Sequence, residues 1–90
     1  MKIKKIAPIL TEIINARTRL KLAEGLQDIA LYRIQIERLR TLELKLSSCP
    51  SYVQEFHVKY GKGHVELIEY VQLLRRDAER KVCIYQVVWI

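Results

Sequence analysis

The chain has 90 residues, half of them hydrophobic and 29% charged, with a net charge of +6. That length accommodates one domain, residues 1–90, and excludes two; a chain this short buries a modest share of its surface, so apolar faces left uncovered favour oligomerisation or docking. Two cysteines, Cys49 and Cys83, exclude a disulfide-dense secreted scaffold, and no stretch approaches the roughly 20 apolar residues of a membrane span.

The positive charge is concentrated at the N-terminal end. Lys2, Lys4, Lys5, Arg17, Arg19 and Lys21 face Glu12 alone, whereas residues 22–47 are neutral and residues 48–90 nearly so. The apolar run after the first lysines is cut by Glu12, too soon for the ~7–15-residue core of a signal peptide. The expectation is a cytoplasmic protein with no membrane contact.

Ile6, Leu10, Ile13 and Leu20 recur at helical spacing, with Ile9 and Ile14 widening the stripe and Pro8 suited to the first turn of a helix. Arg17 falls within the stripe, where it must reach the edge or meet a polar group. The next stripe, Leu22, Leu26, Ile29, Tyr32, Ile36, Leu39 and Leu46, starts two residues out of register. Gly25 lies at the slip, which predicts a kink or a junction of two helices near residues 21–25, with a continuous but rotated helix as the alternative. Arg33–Glu37 and Glu37–Arg40 stand at helical pairing distances. Leu42, Leu44 and Leu46 alternate as a strand would, but leucine, glutamate and lysine favour helix, and helix is the reading adopted.

Ser47 to Ser51, with Pro50, mark a chain reversal. Ser51 and Gln54 match a capping box, which favours a short helix ending at Gly61 over a strand across 52–60. Gly61-Lys62-Gly63 reads as a loop. A helix is expected from about His64 to Lys81, with Leu67, Val71, Leu74 and Ala78 on one face and Arg75–Glu79 and Asp77–Lys81 pairs outside. The last nine residues, rich in β-branched and aromatic side chains, favour a strand or an extended docking tail.

The fold expected is therefore mainly α: a small helical hairpin or bundle, with a long N-terminal helical half and an extended C-terminal tail. The alternative is α+β, with strands near 52–60 and 82–90.

Few residues group in a way that carries chemistry. Cys49, His57, His64 and Cys83 are the right number for tetrahedral zinc but lack close cysteine pairs, and nothing marks either cysteine as an activated nucleophile. Glu66 and Glu69 are spaced as two solvated acids on a helix. The glycines around Lys62 could turn N–H groups toward an anion, but the phosphate-loop pattern is absent. No metal, cofactor or enzymatic activity is expected. The leading function is a small basic interaction module, a regulator, inhibitor or assembly subunit. It would bury Leu26, Ile29, Tyr32, Ile36, Leu39, Trp89 and Ile90 in a homo-oligomer or on a larger protein. The alternative is a nucleic-acid-binding protein using Lys2, Lys4, Lys5, Arg17, Arg19 and Lys21 on phosphates.

Overall fold

The computed structural model describes the backbone of residues 2–88 and the side chains of residues 6–86. Along the chain lie α1 (Lys2–Leu26), α2 (Ile29–Ser47), α3 (Ser51–Gln54), β1 (His57–Tyr60), β2 (Gly63–Glu66) and α4 (Leu67–Val88). The mainly α expectation holds, with a two-stranded antiparallel hairpin added between the helical halves. The molecule is elongated, 50 × 26 × 18 Å, because its helices lie along one another.

The buried stripe of α1 is Ile6, Ile9, Ile13, Ala16 and Ala23, with Leu20 partly buried between them. These positions step by three and four, so the helix keeps its register through residues 21–25. No junction occurs at Gly25. The stripe continues through Ala23 rather than Leu22, whose side chain is 56% exposed. The helix also starts earlier than Pro8, which lies inside it.

The break falls two residues after Gly25. Gln27 adopts φ +53°, its N–H bonds Glu24 O at 3.3 Å and that of Asp28 bonds Ala23 O at 3.0 Å. This pair of bonds is a Schellman stop, with glutamine in the left-handed position glycine usually fills. Asp28 then caps α2 by accepting a hydrogen bond from Leu31 N at 3.1 Å. One aspartate thus ends one helix and begins the next.

Helix α2 runs through Leu42, Leu44 and Leu46, so the strand alternation there is incidental. Leu42 and Leu46 are buried while Leu44 is exposed. Gln54 does not close a capping box. Its amide donates back to Ser47 O and Cys49 O, and Pro50 is the N-cap of α3. The short helix ends at Gln54, and residues 57–60 form a strand instead. Tyr60 pairs with Gly63 around a two-residue turn in which Gly61 has φ +59°. Positive φ at the first central residue is the geometry hairpins of this length favour.

Helix α4 opens at Leu67, not His64, which belongs to β2. Its face of Leu67, Val71, Leu74 and Ala78 continues through Val82 to Tyr85. That continuation overturns the extended reading for residues 82–88: a buried helical face outweighs β-propensity when the next turn has something to cover. Tyr85 lies 5.8 Å from Tyr32 by ring centroids. Arg75 ties α4 to α2 through Glu43, and Arg40 of α2 reaches Glu79 at 3.2 Å. Asp77 pairs with Arg80, and Lys81 crosses to Glu24 of α1, in place of the Asp77–Lys81 pair expected.

Among the described residues, two buried groups make the core. One joins the first half of α1 to the second half of α2, α3 and the start of α4. The other gathers Ala23, Tyr32, Ile36, Ala78 and Val82 toward the opposite end. No described helix is long and apolar enough to cross a membrane.

Candidate functional site

Two surfaces stand out once the core is accounted for. The first is the outward face of α1. Ala7, Thr11, Ile14, Thr18, Leu22 and Gly25 recur at spacings of three and four on the side opposite the buried stripe. All six are exposed, Ile14 at 53% and Leu22 at 56%. The hydroxyls of Thr11 and Thr18 donate to Ala7 O and Ile14 O, at 3.0 and 2.9 Å. Both threonines therefore satisfy their hydroxyls within the helix. The result is an uncharged strip about 27 Å long, in a chain where 29% of residues are charged.

The second surface is a cavity of about 340 Å³ between α1, the hairpin and α4. Arg17, Lys21 and Lys59 line it, with Tyr60, Tyr70 and Tyr32. Arg17 and Lys21 are four apart on α1 and so share a side of the helix. Arg17 Nη1 donates to the Tyr70 hydroxyl at 3.1 Å, which is how an arginine near an apolar stripe is accommodated. Tyr60 and Tyr70 meet edge to face, with centroids 5.9 Å apart. Lys81 and Glu24 line the wall as an ion pair, and Asp77 is engaged by Arg80. Among the described residues, Arg17, Lys21 and Lys59 have no carboxylate partner.

Tyr32 closes the inner side of this cavity at 2% exposure. Its hydroxyl is buried and makes no hydrogen bond, although Tyr85 is nearby. Burial first, then the approach of the Tyr85 hydroxyl, which falls short of a well-formed hydrogen bond, and the charge of Asp77 push its pKa up to about 12.

The residues expected to bind a partner are divided by the fold. Tyr32, Ile36 and Leu39 are buried in the chain's own core, and Ile29 packs partly against it, so these face inward rather than toward a partner. The cause is α4, which covers the very stripe that the sequence leaves open. Leu26 is 64% exposed, while Trp89 and Ile90 lie outside the described residues. Of the basic set, Arg17 and Lys21 meet at the cavity, Arg19 is exposed on another side of α1, and Lys2, Lys4 and Lys5 are in α1 with side chains that are not described.

Cys49 sits after α2 and Cys83 is exposed on α4; both are free thiols. His57 and His64 are exposed on the hairpin, and no group of three metal-binding side chains occurs among the described residues. Since α4 begins at Leu67, the glycines around Lys62 form a hairpin turn and do not precede a helix N-terminus.

Of the residues that define the two surfaces, Arg17, Lys21 and Tyr32 stand among the site residues expected from the sequence, whereas Tyr70, Lys59, Tyr60 and the outward face of α1 do not. Lys59 and Tyr60 are distant in sequence from Arg17, and only the hairpin brings them together. The outward strip of α1 was readable as a second run of uncharged residues at helical spacing. No protein-family model matches the chain, and neither a curated protein nor a solved structure matches it.

Proposed function

We propose that the protein is a non-enzymatic interaction module that docks a helix along the outward face of α1, and that a second copy of the chain supplies that helix. The observation that carries this reading is the uncharged strip from Ala7 to Gly25, with Ile14 and Leu22 more than half exposed. An exposed uncharged strip of helical length, with Ile14 and Leu22 along it, suits a helical partner.

The strip also suits itself. In an antiparallel pairing centred near Ala16, Ala7 lies opposite Gly25 and Ile14 opposite Thr18, so small residues meet at the ends and large meets small between them. The same pairing brings Arg19 of one copy toward Glu12 of the other, a carboxylate that within its own chain pairs with Lys45 at 3.4 Å. Arg19 and Glu12 are seven apart and flank the strip on one side, where antiparallel helices exchange charges. Arg17, on the other flank, is turned toward Tyr70. One helix pair is small among stable interfaces, so the association is weak and responsive to concentration.

Co-expression of two differently tagged copies tests the reading. Capture through one tag retrieves the other copy, and Leu22→Glu in both abolishes retrieval while the circular dichroism melt is preserved. Equal retrieval by the variant removes the strip as the interface, and no retrieval by the wild type removes self-association.

A further inference from the structure

We propose that the cavity between α1, the hairpin and α4 binds a phosphate monoester of about nucleoside-monophosphate size. Arg17, Lys21 and Lys59 hold the phosphate and Tyr60 packs against the organic part. This site is separate from the outward face of α1 and stands or falls independently of it.

The chemistry of the lining is lopsided. Each acid on its wall already has a basic partner, Glu24 in Lys81 and Asp77 in Arg80. The three remaining cations have no carboxylate partner among the described residues. Arg17 spends one N–H on Tyr70 and keeps the rest of its fork. The Tyr70 hydroxyl accepts that bond, so its own proton is available to donate. A pocket in which cations and donors outnumber free acceptors is the complement of an anion that only accepts hydrogen bonds. Three cations match the double charge of a phosphate monoester better than a carboxylate's single one.

Size and shape restrict the ligand further. At about 340 Å³ the cavity lies at the low end of ligand sites, room for one nucleotide-sized molecule. Tyr60 is 45% exposed and steadied edge-on by Tyr70, so a ring can be placed against it. Free nucleotides and the ends of single-stranded nucleic acid share this chemistry.

The test is titration of the full chain at low salt, followed by NMR shifts and calorimetry. The probes are adenosine 5′-monophosphate, inorganic phosphate, adenosine and a short single-stranded oligonucleotide. The expected result is saturable one-to-one binding of the monophosphate, weaker binding of inorganic phosphate and none of adenosine. Affinity should fall about tenfold or more in Arg17→Gln/Lys21→Gln and in Lys59→Gln, and remain unchanged in Arg33→Gln/Arg76→Gln. Tyr60→Leu should erase the advantage of the nucleotide over inorganic phosphate. Arg17→Lys keeps the charge and guards against a folding defect, and should retain most of the affinity. Tighter oligonucleotide binding with the same residue dependence supports the site and identifies the strand as the source. Absence of saturable binding by both monophosphate and oligonucleotide overturns the proposal, as does an equal loss in the Arg33/Arg76 variant.

Discussion

Tyr32→Phe should stabilise the protein. The phenol hydroxyl is buried without a hydrogen-bond partner, whereas the ring packs with Ile36, Ala78 and Val82 and lies 5.8 Å from Tyr85. Phenylalanine keeps the ring and removes the orphaned group. An unsatisfied buried hydroxyl costs about 1–3 kcal/mol, and because local relaxation recovers some of that, the expected gain is about 1 kcal/mol. For a domain of this size it corresponds to a rise of about 4–8 °C in melting temperature. A second signature lies in alkali. The folded state holds the Tyr32 proton up to about pH 12, while the unfolded chain releases it near 10.0. Stability from this group is complete below pH 10 and declines as pH rises through the window to 12, by about 3 kcal/mol in all. The variant should lose less stability than the wild type across that window. Urea unfolding by circular dichroism at pH 7, 10 and 11.5 measures both effects. Destabilisation of more than about 1 kcal/mol at pH 7 would show that the hydroxyl is satisfied after all, and identical alkaline slopes would refute the assigned ionisation.

Other consequences follow from single residues. Gln27→Gly should raise stability by about 0.5–1 kcal/mol, since glutamine sits at φ +53° where glycine is unstrained; a lower urea midpoint would contradict the Schellman stop. Asp28→Ala should cost about 1 kcal/mol through loss of the cap on Leu31 N, and an unchanged midpoint would remove the cap from the account. Leu39→Ala should cost about 2–5 kcal/mol at a fully buried site, against a change within about 0.5 kcal/mol for Leu44→Ala at 74% exposure. Arg19→Glu should weaken self-association measured by sedimentation, and an unchanged monomer–dimer balance would argue against the antiparallel pairing.

Much of the helical plan was legible because large apolar residues at helical spacing report burial directly. Leu39, Leu46, Leu67 and Val71 were placed that way and are fully buried. Alanine carries little such signal. Missing Ala16 and Ala23 made the α1 stripe appear to end at Leu20 and resume at Leu22, and so displaced the helix junction to Gly25. The true junction had its own mark, Asp28 two residues after the last helical turn, but its partner in the stop is a glutamine that composition does not flag. The hairpin was half visible: a strand across 52–60 stood as the lesser reading and Gly61-Lys62-Gly63 reads as a loop, whereas the strand after Gly63 merges in the sequence with the apolar face of α4. At the C-terminal end, valines and isoleucine suggested a strand, whereas burial of Val82 against Ala23 and Tyr32 extends the helix. The cavity was out of reach of linear reading, since its cations come from α1 and β1 and only the fold unites them.

Sedimentation velocity over a concentration series from micromolar to millimolar tests the central claim most directly, with wild type and Ile14→Glu compared side by side. Ile14 is 53% exposed on the outward face of α1, so the substitution leaves the fold intact. The account predicts that the wild type shifts from monomer toward dimer as concentration rises, and that the variant remains a monomer throughout. A wild type that stays monomeric over the whole range, or a variant that dimerises equally well, would contradict it.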